Sequence, residues 1–371
     1  MPATSKANDP PAVSIIVPAR NEEVSLKICM DSLVAQAGVA FEIIVVDDHS
    51  TDRTREIASA FSNRPGHPCV RVIEAGPLPA GWTGKNNAVV AGTKIARGEW
   101  LLFTDADTIH LPGSLARSIE EAKRHHAALL SYSPEQIVKG FWEKAVMPVV
   151  FAELAATFRP AEVSNPNSPA AAANGQYLLI TRETYDAVGR HAAVAGNFLE
   201  DLAMARVVKQ SGRKILFRFG GDAVRTRMYR GFAQLREGWT RSLLILFPSP
   251  VRLAVLRALE FVLIAASFTI SLAAGLRGHW QPAVVSGALG AILYGSFLIR
   301  IRRAHSSWDA TILALFGLPL FSYFLLRSKL FHERGRVSWK GRTYPGDGPP
   351  ATAAQEADRT QEQHGLSHAK S

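Results

Sequence analysis

Three apolar stretches that carry almost no charge follow one another late in the chain, at about residues 254–276, 282–299 and 310–326. Only Arg257 and Glu260 interrupt the first stretch, and the other two contain no charged residue. Segments of about 20 apolar residues match the hydrocarbon thickness of a bilayer, about 30 Å. Buried helices in a large soluble core are the alternative, but three such stretches in succession favour transmembrane helices.

The region before these stretches alternates short apolar runs with segments of helical period. The runs Val13–Val17, Phe41–Val46 and Glu99–Phe103 are apolar almost throughout, which is typical of strands buried on both faces of a parallel sheet. Segments with apolar residues near helical spacing lie between them, as in Glu22–Ala37 and Asn86–Ala96. We therefore predict an α/β domain with a mostly parallel sheet flanked by helices.

Three loop residues, Pro18, Asp48 and Asp105, follow the ends of predicted strands. Ligands of parallel α/β sheets bind in the crevice beyond the carboxyl ends of the strands. One crevice is therefore expected to collect all three residues.

Asp105 and Asp107 form an acidic pair directly after the strand that ends at Phe103. Two carboxylates on one loop suit a Mg²⁺ or Mn²⁺ ion that is also bound by phosphate oxygens. Two solvated turn aspartates are the alternative, because this spacing also arises by chance. The position after a strand, and a second acidic pair at Asp47–Asp48 after another strand, favour a metal site.

Two basic residues of these loops are candidates for binding a phosphorylated ligand. Arg20, together with the amides of the helix that follows it, can contact a uracil or a diphosphate. Capping of that helix by Asn21 is a simpler role that the same segment can also fulfil. Lys85 lies in the glycine-flanked loop Gly81–Asn86 and can neutralise a diphosphate. The glycine spacing before Lys85 differs from that of a P-loop, which argues against an ATPase.

Glu200 and Asp201 are the best candidates for a general base. Transfer of a sugar by direct displacement needs one carboxylate that removes the proton of the acceptor hydroxyl as its oxygen attacks the anomeric carbon. A metal ion stabilises the departing diphosphate, so one base and one metal suffice for inversion. An acidic pair that merely begins a helix is the alternative.

The order of these motifs resembles that of family 2 glycosyltransferases of the GT-A fold. Four segments carry the resemblance, which extends over about residues 13–245: Ser14–Glu22, Val45–Asp52, Asp105–Asp107 and Glu200–Asp201. It implies a nucleotide-sugar-binding sheet, a UDP-sugar donor and a divalent metal, Mg²⁺ or Mn²⁺.

The resemblance also implies roles for individual residues. Asp201 is implied as the base, and Asp105 and Asp107 as the residues that face the donor and the metal. The implied donor pocket is lined by Pro18, Arg20, Glu22 and Asp48, and Lys85 and Asp105 complete the set of donor-binding residues. The acceptor site is expected to contain Gly175, Gln176 and Glu200.

A narrower resemblance points to the subgroup that glycosylates carotenoid or hopanoid-type lipids. It is carried by Leu78–Lys85, Phe141–Lys144, Arg227–Tyr229 and Trp339–Tyr344. The chain departs from relatives with a Gln-x-x-Arg-Trp segment, because Gln234–Trp239 is one residue longer and lacks the Arg-Trp pair. Processive polymer synthesis is therefore disfavoured, whereas Trp239 and Arg241 are still predicted to cover the diphosphate.

The chain carries 42 Lys and Arg against 32 Asp and Glu, a net charge of +10. Its basic residues concentrate around the apolar stretches, which indicates a membrane surface rather than nucleic acid as their partner. The two cysteines, Cys29 and Cys69, have no metal-ligand spacing and are typical of a reducing compartment. No apolar stretch precedes residue 12, so the catalytic domain is expected on the cytoplasmic face of the cell (inner) membrane.

The predicted organisation has five parts. They are a disordered N-terminus (1–12), a GT-A glycosyltransferase domain (13–245), transmembrane helices (251–327), a basic juxtamembrane segment (328–344) and a disordered tail (345–371). Three complete spans would place the basic segment outside, against the positive-inside rule. We therefore expect a multi-pass protein with one incomplete span and a cytoplasmic tail.

Together these features predict an inverting family 2 hexosyltransferase. It would move a hexose, with glucose the first choice, from a UDP-sugar to a hydroxyl of a membrane lipid such as a carotenoid or another isoprenoid. One alternative is a transferase for polysaccharide or polyprenyl-phosphate acceptors, and another is a non-catalytic, membrane-tethered nucleotide-binding protein.

Overall fold

The computed structural model describes residues 11–62, 64, 68–334, 337–339 and 342–344. The predicted disordered tail, 345–371, lies outside the described residues, as do residues 1–10 of the predicted disordered N-terminus and parts of the juxtamembrane segment 328–344.

Strands and helices alternate along the first two thirds of the chain, and long helices dominate the last third. The strands are β1 Val13–Ala19, β2 Phe41–Asp47, β3 Cys69–Glu74, β4 Trp100–Phe103, β5 Thr108–His110, β6 Leu129–Ser133, β7 Glu135–Gln136, β8 Leu178–Thr181, β9 Ile215–Phe219, β10 Val224–Thr226, β11 Val337–Trp339 and β12 Arg342–Tyr344. The helices are α1 Leu26–Val34, α2 Thr54–Ser59, α3 Gly84–Ile95, α4 Ser114–Arg124, α5 Phe141–Thr157, α6 Pro160–Ser164, α7 Arg182–Ala187, α8 Glu200–Gln210, α9 Phe232–Leu246, α10 Pro250–Leu276, α11 Trp280–Ile301, α12 Trp308–Leu313 and α13 Gly317–Glu333. Short 3₁₀ turns cover Arg190–Val194, Arg302–Ala304 and Ala314–Phe316.

A seven-stranded sheet in the order β3-β2-β1-β4-β8-β6-β9 organises the first domain. Strand β1 pairs in parallel with β2 and β4, and β2–β3 and β6–β9 are also parallel. Only β8 runs antiparallel to its neighbours in this sheet. The prediction of a mostly parallel sheet flanked by helices is confirmed.

Both faces of this sheet are buried, as the continuous apolar runs predict. Ile15 belongs to the core on the side of α1 and α4, whereas its neighbour Ile16 belongs to the core on the side of α3 and α8. This division follows from the two-residue period of a strand, which directs successive side chains to opposite faces.

A second, three-stranded sheet in the order β5-β10-β7 joins the carboxyl end of β4 to the segment after β10. Its strand β5 begins directly after Asp107, and the Thr226 hydroxyl at the end of β10 donates a hydrogen bond to the Asp107 carbonyl, 3.2 Å away. The small sheet therefore brings Arg227–Tyr229 beside the acidic pair.

Three helices or helical segments are long and apolar enough to cross a membrane: α10, the stretch Trp280–Ala304 that contains α11, and Trp308–Glu333. The third is not one continuous helix, because the turn Ala314–Phe316 separates α12 from α13. Half of its most apolar window is buried inside the protein, against 17% and 11% for the first two. It packs on α5, α9 and α10, so much of its apolar surface faces protein.

Helix α5 joins the two parts of the molecule. Its first residues, Phe141 and Trp142, are exposed, whereas Val146, Val149 and Val150 are fully buried in a cluster with α9, α10 and α13. Only the start of α5 has the exposed aromatic character expected at a membrane interface. Its body is packed as core.

Candidate active site

Two cavities meet beyond the carboxyl ends of the main strands. The first, of about 430 Å³, is lined by polar loops and includes Pro18, Arg20, Glu22, Asp48, Asp105 and Asp107. The second, of about 670 Å³, is lined mainly by apolar side chains and includes Gly175, Glu200 and Asp201. Their common wall contains Lys85, Asp105, Gln176, Met228, Tyr229 and Arg241. The single crevice expected for Pro18, Asp48 and Asp105 is the polar cavity.

The loops after β1 and β2 support each other at this cavity. An Arg20 guanidinium nitrogen donates to the Asp48 carbonyl at 2.6 Å, and the Glu22 amide donates to the Thr54 hydroxyl at 2.7 Å. Asn21 and His49 both have positive φ angles, 53° and 54°. Non-glycine residues are rare in this conformation and cluster where surrounding structure and function require it.

Lys85 lies among three carboxylates at the common wall. Its ammonium nitrogen is 2.6 Å from Asp105 Oδ1 and 2.7 Å from Glu200 Oε1. Lys85 lies in the first turn of helix α3 rather than in a loop, and the Thr83 hydroxyl caps this helix by accepting from the Asn86 amide. Burial alone would lower the pKa of Lys85, but the nearby charges of Asp105, Glu200 and Asp201 outweigh burial and raise it.

Asp201 is held at the start of α8 by two backbone amides. Its Oδ2 accepts from the Gly175 amide at 2.7 Å, and its Oδ1 accepts from the Leu202 amide at 2.8 Å. Burial, together with the neighbouring Glu200 charge, raises the pKa of Asp201 to about 6, although Lys85 and the amides act in the opposite direction. A carboxylate with this pKa is ionised at neutral pH and still a useful proton acceptor.

Gly175 lets the backbone approach this charged cluster. A methyl group at Gly175 would lie 3.1 Å from the Lys85 nitrogen and 3.3 Å from Glu200 Oε1. Gln176, the next residue, accepts a hydrogen bond from Thr104 through its carbonyl, at 2.8 Å. The segment predicted to line the acceptor site therefore forms the floor between the two cavities.

The acidic pair suits a metal that is shared with a ligand. Asp105 and Asp107 both line the polar cavity. No group of three or more His, Cys, Asp or Glu residues that could hold a metal occurs among the residues that the structure describes. Mg²⁺ is typically bound by one or two carboxylates and by substrate phosphates rather than by an all-protein cage. The donor set therefore fits an ion that binds together with a diphosphate.

Trp239 and Arg241 of α9 differ in the cavities that they line. Arg241 lines both cavities. Trp239 is only 3% exposed, lines the apolar cavity and packs edge-on against Tyr229, at a centroid distance of 5.4 Å. The structure therefore places Arg241 beside the polar cavity, and Trp239 on the side predicted for the acceptor.

The apolar cavity was not predicted from the sequence. Its lining comes from α5, β9 and α9 and from the turn after α11, which are far apart along the chain. A partly buried ion-pair cluster of Glu153, Arg257, Glu260 and Arg300 was not predicted either. The charged residues of α10 within an apolar stretch were the available signal, since such charges are usually paired.

The comparisons with known proteins agree with the arrangement of these motifs. Residues 14–187 match the family described as Glycosyl transferase family 2. The chain is 27% identical over 346 residues to a 4,4'-diaponeurosporenoate glycosyltransferase from Staphylococcus aureus (strain USA300). This alignment covers 90% of this chain and 88% of the relative. The same enzyme from strain MRSA252 is 27% identical over 347 residues, with the same coverage.

Among solved structures, a mannosyltransferase from Pyrobaculum calidifontis, in complex with GDP-Man and Mn²⁺, aligns with 16% identity over 87% of each chain and a TM-score of 0.48. TarS 1–349 of S. aureus, in complex with UDP-GlcNAc, aligns with 14% identity over 91% of this chain and 99% of that chain, with a TM-score of 0.42. The family match covers the segment from β1 to α7, which contains the predicted donor loops and the acidic pair. Residues 14–187 thus form a glycosyl transferase family 2 domain, and the chain is a glycosyltransferase.

Proposed function

We propose that the protein transfers a hexose, with glucose the first choice, from a UDP-sugar to a hydroxyl of a membrane lipid such as a carotenoid, with inversion at the anomeric carbon. The observation that carries this proposal is the common wall. A polar cavity and an apolar cavity meet at Lys85 and Asp105, and a candidate base, Asp201, lies on the apolar side. A charged donor and an apolar acceptor can thus approach one point from different environments.

The donor is proposed to occupy the polar cavity. Pro18, Arg20, Glu22 and Asp48 would surround its nucleoside, in line with the loops that these residues form. Lys85 and Arg241 would face the diphosphate from the common wall. Asp105 and Asp107 would hold Mg²⁺ or Mn²⁺ there, and a bound divalent ion supplies positive charge to the leaving diphosphate.

The acceptor hydroxyl is proposed to meet Asp201 from the apolar cavity. Asp201 removes its proton while the acceptor oxygen forms a bond to the anomeric carbon. The bond between that carbon and the diphosphate oxygen breaks on the opposite face, so the nucleoside diphosphate leaves with the electron pair. A single displacement of this kind inverts the configuration at the anomeric carbon. The Gly175 amide would position the base through its hydrogen bond to Asp201. The charge of Glu200 would raise the pKa of the base.

The membrane arrangement is also a proposal. Residues 13–245 would form the catalytic domain on the cytoplasmic face, and residues 251–327 the membrane part of a multi-pass inner-membrane protein. The broken and half-buried helical segment Trp308–Glu333 supports one incomplete span. Because a segment that does not cross the bilayer leaves the chain on the side reached after two spans, the basic stretch that starts near Arg327 would stay on the cytoplasmic side. This agrees with the positive-inside rule.

The test uses membranes that contain the full chain, a panel of labelled UDP-glucose, UDP-N-acetylglucosamine and GDP-mannose, and an added carotenoid alcohol. We expect label from UDP-glucose in the organic extract. Label only in a water-soluble polymer would favour the polysaccharide alternative. Donor binding without transfer or donor hydrolysis would favour a non-catalytic nucleotide-binding protein.

The relative from S. aureus is named for an acceptor that is a carboxylate, diaponeurosporenoate. A carboxylic acid is already ionised at neutral pH and needs no base to become a nucleophile. The assay is therefore run with a carotenoid alcohol and with the matching carotenoid acid. Transfer to the alcohol would support the proposed hydroxyl acceptor. Transfer to the acid alone would show that the acceptor group is a carboxylate and not a hydroxyl.

A further inference from the structure

The apolar cavity connects the candidate base to the end of the second long apolar helix. One part of its lining is Asp201 with its neighbours, and another part is the last turn of α11 with the residues that follow, Ile299 and Arg302–His305. The wall also includes Phe151 and Leu154 of α5. A volume of about 670 Å³ lies in the range of sites that hold whole organic ligands.

The turn after α11 is docked on the catalytic domain. The His305 ring stacks on Phe219 of β9, with centroids 3.9 Å apart and an angle of 12° between the rings. The Arg302 guanidinium lies 4.4 Å from the Trp308 ring centroid and donates to the Ser306 carbonyl at 2.6 Å. His305 has a left-handed backbone, with φ at 54°, which a non-glycine residue keeps when its surroundings enforce it.

The same turn marks a change from apolar to basic surface. Ile299 is 73% exposed on α11, and Arg302 and Arg303 follow it on the exposed surface. Apolar side chains that face lipid and are followed by arginines are typical of a helix end at the level of lipid headgroups. The cavity thus reaches the surface where a membrane-embedded molecule would first meet the protein.

We infer that the turn Arg302–His305 is the portal through which the acceptor enters from the bilayer. The occupant is a lipid with one long apolar chain, whose reactive end passes the turn and reaches Asp201 while its tail remains toward α11. This inference rests on the proposed function and adds the route of the acceptor. Entry from the aqueous side would instead expose the whole apolar chain to water, which is unfavourable in proportion to the apolar area exposed.

A reversible block of the portal tests the inference in a folded protein. The variant Ala304→Cys is made in a Cys69→Ser background, because Ala304 lines the cavity and Cys29 is fully buried. The full chain, in phosphatidylglycerol nanodiscs that contain a carotenoid alcohol, is treated with methyl or with benzyl methanethiosulfonate. The matched control is Leu276→Cys, an 81% exposed position at the opposite end of the α10–α11 pair.

We expect the benzyl adduct at position 304 to reduce transfer at least tenfold, and the methyl adduct to reduce it less. Dithiothreitol should restore transfer, and the adduct at position 276 should leave it within about twofold. Binding of UDP, measured by calorimetry, should be the same before and after modification. Full activity of the benzyl adduct at 304, or an equal loss from the adduct at 276, would overturn the portal. No transfer by the unmodified protein would overturn the proposed function, and the portal with it.

Discussion

At the scale of single residues, Lys85 is the centre of the site. It holds Asp105 on one side and Glu200 on the other, at 2.6 and 2.7 Å. The Lys85 ammonium group thus compensates the charges of Asp105 and Glu200, which would otherwise repel each other in this partly buried site. A donor diphosphate would compete with these carboxylates for the same ammonium group, so donor binding and the charge around Asp201 should be coupled.

The first prediction concerns the base. Asp201→Asn keeps the shape of the side chain but cannot accept the proton of a hydroxyl, so transfer to a carotenoid alcohol should fall by about 10²–10⁴. Binding of UDP should change far less than transfer, because Asp201 does not line the polar cavity and acts on a diphosphate there only through the charge of Lys85. Transfer is measured by extraction of labelled lipid, and binding by calorimetry. Undiminished transfer would remove Asp201 from the role of base.

The second prediction concerns pH. Because the pKa of Asp201 is raised to about 6, the base is protonated below that pH, and kcat for an alcohol acceptor should rise as pH increases through about 6. The Glu200 charge contributes to this raised pKa, so Glu200→Gln should move the acid limb to lower pH. Asp186→Asn, in an exposed ion pair with Arg190, serves as the control. An acid limb that stays in place in Glu200→Gln would contradict the assignment.

The third prediction concerns the metal pair. Asp107→Ala removes one of the two carboxylates of the acidic pair that lines the polar cavity, so Mn²⁺-dependent UDP binding should weaken by at least tenfold. Binding of UDP without metal should change much less, because no carboxylate of this pair is then required. Calorimetry at increasing Mn²⁺ concentrations measures both. If Asp107→Ala and the wild type show the same dependence on Mn²⁺, the pair does not hold the metal.

At the scale of elements, charges tie α5 to the long apolar helices. Glu153 of α5 lies 2.9 Å from Arg257 of α10 and 3.3 Å from Arg300 of α11, and Glu260 completes the cluster. Glu153 is only 6% exposed. Because the removal of one partner leaves buried charge uncompensated, such clusters are sensitive to single substitutions.

The fourth prediction follows from this cluster. Glu153→Gln should destabilise the protein by about 1–3 kcal/mol, since it leaves two partly buried arginines with Glu260 as their remaining carboxylate partner. The midpoint of thermal unfolding in detergent should fall by several degrees. Glu162→Gln breaks the exposed pair with Arg159, at 3.1 Å, and should cost less than about 1 kcal/mol. Equal shifts for the two variants would show that the cluster contributes no more than a surface pair.

The arrangement of strands and helices determines which parts of the site can be predicted from the sequence. The loops with Pro18, Asp48 and Asp105 were predictable, because parallel strands place their carboxyl ends at one edge and each motif marks its own strand end. The apolar cavity was not predictable, because helices α5 and α9 become its walls only through packing against each other and the sheet. The break between α12 and α13 was also missed, since the residues around Phe316 are as apolar as a continuous span.

At the scale of the whole molecule, the two cysteines can report the sidedness of the catalytic domain. Cys69 is a free, exposed thiol on β3, whereas Cys29 is buried in the core. Burial raises the pKa of Cys29 to about 12, and because the thiolate is the reactive form, Cys29 should not react. Cys69 can therefore be labelled in the native protein, and Cys29 does not have to be replaced for the experiment.

The fifth prediction uses a maleimide that does not cross membranes. If the catalytic domain faces the cytoplasm, Cys69 should be labelled in inside-out vesicles and protected in intact cells. Cys69→Ser should abolish labelling of the vesicles, which identifies the reacting thiol, and detergent lysis of the cells should make the wild-type thiol available to the reagent. Labelling of Cys69 in intact cells would place the domain outside. UDP-sugars are made in the cytoplasm, so that outcome would also deprive the polar cavity of its proposed donor.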